Sequence, residues 1–241
     1  YQQLQTLDFT APFLRAHPKA FELAQRVSEY TPAGLNRIFF VNSGSEAVDT
    51  AMKVALAYHQ ARGQGGRNMF ISRERAYHGV NFGGVSLSGM VNNRRAYGPG
   101  LAGVYHMRHT ALPQNRFVRG QPEHGADLAD DLQRFCNLLG GENIAAVFVE
   151  PTAGSFGCLP PPKGYLEKLR AMTARHGIPL IFDEVITAFG RLGHAFASDR
   201  YGVVPDMITC AKGVTNGAVP MSGVVVRTGI YDALMQGPEE I

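Results

Sequence analysis

Cysteine is scarce in this sequence. Cys136, Cys158 and Cys210 are odd in number and widely spaced, with no C-x-x-C pair. That excludes a disulfide framework and the common zinc and redox patterns, and it fits a reducing compartment. The eight histidines show no H-x-x-x-H pairing, so no metal site is expected. No apolar run approaches the roughly 20 residues that span a bilayer, so no membrane partner is expected. Charge of one sign is also lacking. The net charge is +3 and no Lys/Arg block occurs, which argues against nucleic acid as a partner. An initiating Met and a signal-peptide pattern are absent too. The chain starts at Tyr1 and stops at Ile241 after Gly237-Pro238-Glu239-Glu240, so a piece of a longer, cytoplasmic protein is expected.

What remains is ample for a buried core: 241 residues, 45% hydrophobic and 18% charged, a composition that excludes disorder as the dominant state. Glycine is abundant, with 28 residues, and belongs in turns or where backbone comes close to something else. Helices are predicted over Pro18 to Tyr30, Glu46 to Arg62, Asp127 to Leu139, Lys163 to His176 and Tyr231 to Met235. Strands are predicted over Arg37 to Val41, Asn68 to Ser72, Ile144 to Val149, Pro179 to Phe182, Met207 to Cys210 and Val224 to Val226. Residues 73–130 read as a long irregular stretch, longer than an ordinary connection and therefore expected to be functional. Continuous apolar strands alternating with helices imply a three-layer α/β/α arrangement around a mostly parallel sheet. Ligands bind such sheets at the carboxyl ends of the strands.

Several polar residues fall immediately after strands. Ser43, Gly44 and Ser45 link a strand to a helix, where backbone N–H groups and the positive helix end can cradle a phosphate. The plainer alternative is an N-cap made by Ser45. Asp183 ends an apolar strand and needs a partner there, either a ligand or Arg191 or a helix end. Lys212 follows another strand between Ala211 and Gly213, where desolvation would favour a neutral, nucleophilic amine; the alternative is a surface lysine. Tyr77 and His78 offer flat faces for stacking on a ring, or they pack a loop. Glu150 follows a third strand and could form a rim salt bridge. A phosphate cradle, an aromatic stacker, a carboxylate and a lysine together describe a site for pyridoxal phosphate.

The segments Phe40-Val41-Asn42-Ser43-Gly44-Ser45-Glu46-Ala47, Tyr77-His78-Gly79, Val149-Glu150-Pro151, Ile181-Phe182-Asp183-Glu184-Val185-Ile186-Thr187 and Ala211-Lys212-Gly213 carry a resemblance. So do Arg119 to Gly125, Leu159 to Tyr165 and Phe189-Gly190-Arg191. In order and over nearly the whole chain, these segments resemble the class III aminotransferases, in particular those acting between omega-amino acids such as β-alanine and pyruvate. The resemblance implies the large domain of the fold type I pyridoxal phosphate enzymes, incomplete at both ends, with residues 1–30 as a lead-in and 31–241 as the cofactor-binding domain. It implies pyridoxal 5'-phosphate as cofactor, a small-molecule amine donor, an oxo-acid acceptor, and a homodimer or dimer of dimers. Lys212 would bond the cofactor, Asp183 would face its ring nitrogen, and Ser43, Gly44 and Ser45 would hold its phosphate. Tyr77 and Val185 would flank the ring, with Glu150 and His78 as supporting or substrate-side groups. Ala188 stands where many relatives carry glycine. A 2-oxoglutarate-linked aminotransferase, an aminomutase and a non-catalytic fragment of the fold remain alternatives.

Overall fold

A computed structural model describes residues 1–11 and 13–238. The last residues of the expected 31–241 domain, Glu239 to Ile241, lie outside the described residues. The strands are β1 (Leu35–Val41), β2 (Met69–Arg73), β3 (Val104–Met107), β4 (Ile144–Val149), β5 (Leu180–Asp183), β6 (Met207–Cys210) and β7 (Ser222–Arg227). The helices are α1 (Gln2–Thr6), α2 (Pro18–Ser28), α3 (Gly44–Ala61), α4 (Phe82–Leu87), α5 (Val91–Arg94), α6 (Asp131–Leu139), α7 (Tyr165–His176), α8 (Ala197–Tyr201) and α9 (Thr228–Met235). None of them is long and apolar enough to cross a membrane.

The seven strands among the described residues form one sheet in the order β1-β7-β6-β5-β4-β2-β3. The β2–β3, β2–β4, β4–β5 and β5–β6 pairs are parallel. Strand β7 runs antiparallel to both β6 and β1, so β1 points the same way as the parallel strands. The carboxyl ends of every strand but β7 therefore meet at one edge. The sheet is mostly parallel, as its uninterrupted apolar strands require.

Side chains alternate across this sheet into two cores. Phe182, Ile208 and Val225 join the α6 and α7 residues Leu132 and Leu169 on one face. Ile181, Met207, Val224 and Val226 join Ala47, Ala51 and Ala55 of α3 on the other. Every residue of β4 is buried, which explains its unbroken apolar sequence. The small alanine stripe of α3 lets that helix lie close to the strands.

The stretch 73–130 is less irregular than its composition implies. It contains the edge strand β3, the short helices α4 and α5, and 3₁₀ turns at Pro113–Asn115 and Ala126–Asp130. Helix α4 carries Gly83 and Gly84, which local propensity disfavours. A Cβ on Gly83 would stand 2.3 Å from Asp49 Oδ1, and one on Gly84 would stand 2.3 Å from the His78 carbonyl oxygen. Close packing on α3 and on the loop, rather than propensity, sets this helix.

Candidate active site

Each sequence-predicted residue reaches the carboxyl edge by the end of its own strand. After β1, the turn at Asn42 and Ser43 leads into α3. Ser43 is the N-cap of α3, its hydroxyl accepting from the Glu46 N–H at 3.2 Å, and the Glu46 carboxylate accepts from the Asn42 N–H at 2.7 Å. The cap is thus Ser43 and not Ser45. The Ser45 hydroxyl instead accepts from the Val80 N–H at 2.9 Å, tying the first turn of α3 to the loop after β2. With the Glu46 N–H taken by the cap, the first-turn N–H groups of Gly44 and Ser45 remain without an intrahelical acceptor.

The approach of that loop requires glycine. Gly79 has φ +106°, and a Cβ there would fall 2.6 Å from Ser45 Oγ and 2.8 Å from Ser45 Cα. On the other side of the turn, a Cβ on Gly44 would meet a Val185 methyl at 3.0 Å. Val185 is therefore already seated against the start of α3.

Asp183 ends β5 and is almost wholly buried, 6% exposed. The register of β5 on β6 sets Asp183 beside Thr209, whose hydroxyl donates to Oδ1 at 3.2 Å. The Val185 N–H donates to the same oxygen at 3.2 Å. His78 Nδ1 lies 2.7 Å from Oδ2. A carboxylate only accepts, so Nδ1 carries the proton in this pair. Neither Arg191 nor a helix end serves Asp183 here. His78 is fully enclosed, and its Nε2 has no partner among the described residues.

Glu150 does not form a rim salt bridge. It is buried, and its carboxylate accepts from the Tyr77 N–H at 3.0 Å and the Gly154 N–H at 2.9 Å. It fixes the backbone that carries Tyr77. Lys212 follows β6 through the extended residue Ala211 and has φ +44°, a left-handed conformation that is strained for a side-chain-bearing residue. Lys212 is exposed, so of the two sequence alternatives, a desolvated amine and a surface lysine, the second describes this chain by itself. Strand β6 places Lys212, but the loop that follows it leaves the residue exposed.

Ser43, Gly44, Ser45, Tyr77, His78, Glu150, Asp183, Val185 and Lys212 all line one cavity of about 400 Å³, a size usual for a small-molecule site. Thr152, Ile186, Thr215 and Met221 line it as well and went unnoticed in sequence. Ile186 falls within the Ile181 to Thr187 segment without having been singled out, and Thr152, Thr215 and Met221 carry no motif; only the meeting of strand ends identifies them as lining. Thr209 was missed for a similar reason, since the pairing of β5 with β6 is what brings it to Asp183. No group of three His, Cys, Asp or Glu side chains suited to a metal occurs among the described residues.

The donor set fits pyridoxal phosphate. Helix-start N–H groups and serine hydroxyls suit the phosphate, Val185 and Tyr77 suit the ring faces, a buried carboxylate suits a protonated ring nitrogen, and an amine suits the aldehyde.

Comparison with known proteins agrees. The family described as Aminotransferase class-III matches residues 1–239. The chain is 56% identical over 239 residues to an omega-aminotransferase of Caulobacter vibrioides, covering 99% of this chain and 54% of that protein. It is 48% identical to an omega-amino acid–pyruvate aminotransferase of Pseudomonas putida, covering 98% of this chain and 53% of that one. Among solved structures, a PLP-bound amine transaminase from an uncultivated Pseudomonas species superposes with a TM-score of 0.89 at 36% identity, over 98% of this chain and 54% of that one. The chain spans about half the length of the relatives it matches. Pyridoxal 5'-phosphate is the cofactor of this family. On its sequence, its mostly parallel sheet and its relatives, the chain belongs to the class III aminotransferases.

Proposed function

We propose that the protein to which this chain belongs is a pyridoxal phosphate-dependent transaminase that moves an amino group from an omega-amino acid or simple amine to pyruvate. The products are an aldehyde or oxo acid and alanine. The observation that carries this reading is the convergence of Lys212, Asp183 and the Ser43–Ser45 turn, from three separate strand ends, on one cavity. Residues 31–241 then serve as the cofactor-binding domain. The names of the relatives from Caulobacter and Pseudomonas support an omega-amino donor, and the second supports pyruvate as acceptor.

When bound, pyridoxal phosphate supplies a ring that delocalises the negative charge left when a substrate C–H bond is broken. The residues of this chain divide the remaining work. The start of α3, with Ser43, Gly44 and Ser45, holds the phosphate and so fixes the position of the ring. Asp183 would pair with the ring nitrogen and favour its protonated form, because a nearby negative charge favours the charged form of a base. Thr209, the Val185 N–H and His78 fill the other acceptor positions of Asp183 and stop it turning away. Val185 and Tyr77 would pack on the two ring faces, and the Glu150 carboxylate holds Tyr77 in place by accepting from its N–H. Lys212 would hold the cofactor through its amine, and its Nζ, when free, would take the substrate proton and later return it, acting as base and then acid.

Lys212 is exposed in the isolated chain, and Val80, Phe82 and Val219 beside the site are 72%, 69% and 56% exposed. We assign this rim to a second copy of the protein, so that a homodimer, alone or paired into a dimer of dimers, encloses the site. Sedimentation of the full-length protein checks this, and a monomer would contradict it. The reaction is tested by supplying the full-length protein with β-alanine or a simple amine and either pyruvate or 2-oxoglutarate. Alanine is expected from pyruvate. Glutamate formed from 2-oxoglutarate with no alanine from pyruvate would overturn the choice of acceptor.

A further inference from the structure

We propose that Glu184, which does not line the cavity, is a positioning residue for it: its carboxylate fastens the segment after β5 and so sets where Asp183 and Val185 stand. This rests on reading the cavity as the cofactor site.

Where the chain leaves β5, these three neighbours go to opposite sides of the sheet. Asp183 and Val185 line the cavity on the α3 side of the sheet. Glu184 turns to the other side and is completely buried. There its carboxylate accepts from the Ala197 N–H at 2.5 Å, the Ser198 N–H at 3.1 Å and the Thr187 hydroxyl at 3.1 Å. The first two donors are the opening N–H groups of α8. The Glu184 backbone is held as well: its N–H donates to the Thr209 carbonyl at 2.8 Å and its carbonyl accepts from the Ala188 N–H at 3.0 Å. Thr209 is the same residue whose hydroxyl meets Asp183.

Helix α8 is tied to the cavity at its other end too. The hydroxyls of Tyr201, the last residue of α8, and Thr152 stand 2.6 Å apart, and Thr152 lines the cavity. One short helix thus braces two walls, the β5 end through Glu184 and the segment after Glu150 through Thr152.

Fold stability alone is a poor reason for this carboxylate. Among the described residues no lysine or arginine pairs with it, and the ionisable groups acting on or beside it, Asp199 and the Cys210 thiol, offer no positive charge. Burial pushes the Glu184 carboxyl up to about 7 against the pull of its hydrogen bonds. A buried, cation-free carboxylate is commonly less stabilising than a packed apolar side chain of the same size. What it offers is geometry: three donors converging on one rigid point directly beside Asp183.

The test uses the full-length protein as wild type, Glu184→Gln and Glu184→Ala. Leu169→Ala, in the core under α7, serves as a destabilised control. Three quantities are read: the dissociation constant for pyridoxal phosphate, the pH midpoint of the bound cofactor's absorbance, and the melting temperature without cofactor. Glu184→Ala is expected to weaken cofactor binding about tenfold or more and to move the pH midpoint, with a smaller change in both for Glu184→Gln, which retains one acceptor. Leu169→Ala is expected to melt earlier yet keep the wild-type dissociation constant and midpoint. Wild-type values of both in Glu184→Ala, or equal changes in Leu169→Ala, would overturn the proposal. If Glu184→Ala does not fold, Glu184→Gln decides by the same two readouts. A wild-type protein that binds no pyridoxal phosphate would overturn the underlying reading of the cavity, an outcome separate from any difference between the variants.

Discussion

The two ends of the sheet each hold a hollow and an aspartate, and they treat that aspartate in opposite ways. At the amino end, in a hollow of about 270 Å³, Asp206 lies just before β6. It meets Arg170 Nη1 at 2.6 Å, Arg227 Nε at 3.2 Å and the Leu180 N–H at 2.9 Å. Its charge is balanced within the chain. At the carboxyl end, Asp183 is more deeply buried, yet its partners are a hydroxyl, an amide N–H and an imidazole. No guanidinium or ammonium pairs with it among the described residues. Asp183 lines the cavity with no fixed cation from its own fold, so it is placed to balance the charge of something that arrives. That contrast, more than the presence of a cavity at either end, marks the carboxyl edge as the working one.

Four substitutions or conditions would sharpen or break the contrast. The largest effect is expected from Lys212→Ala, at the carboxyl end. Turnover by the full-length protein should fall by at least about 10²-fold, because the group proposed to move the proton is gone. Melting without cofactor should hardly change, since the side chain is exposed. Steady-state rates and a thermal scan check both.

Asp183→Asn comes next. It keeps the shape but removes the charge proposed to pair with the ring nitrogen, so turnover should fall on the order of 10²-fold, with weaker cofactor binding in a titration. Undiminished turnover would mean that Asp183 is merely structural, like Asp206.

The third test is pH. Glu184 is held at about 7 in the fold, above its ordinary value of 4.5. The folded state therefore keeps this proton where the unfolded chain has lost it. The resulting stabilisation is full below the unfolded value and is lost as pH rises through the folded one. Across that window the wild type should lose up to about 3 kcal/mol relative to Glu184→Gln, readable as a pH-dependent gap between their denaturation curves.

The smallest effect belongs to the amino end. Asp206→Ala should lower stability by about 2 kcal/mol, mainly by orphaning the Leu180 N–H and two partly exposed arginines. Its dissociation constant for pyridoxal phosphate should match the wild type. A cofactor-binding defect there would erase the distinction between the two ends.

Much of this architecture was legible in the sequence, for identifiable reasons. Strands β4, β5 and β6 are covered on both faces and read as unbroken apolar runs, and their ends marked Glu150, Asp183 and Lys212. Strand β3 was hidden because it is four residues long, lies at the sheet edge and is only partly buried, with Tyr105 and His106 in its middle. Helix α4 was hidden because its glycines contradict helix propensity and only tertiary packing explains them. The cap was misplaced because Ser43 and Ser45 are equally good capping residues; the end of β1 decided between them. Exposure of Lys212 could not be read from its neighbours, since it depends on the path of the loop after β6. The division of labour between Asp183 and Glu184 was likewise out of reach, because adjacent acids look alike until the strand turns them to opposite faces.

The central claim is that Lys212 is the lysine that bonds the cofactor. It is tested most directly by loading the full-length protein with pyridoxal phosphate, reducing it with borohydride and mapping the modified peptide by mass spectrometry. The account predicts a pyridoxyl group on Lys212 Nζ and nowhere else. A group fixed to another lysine, or none fixed at all, would contradict it.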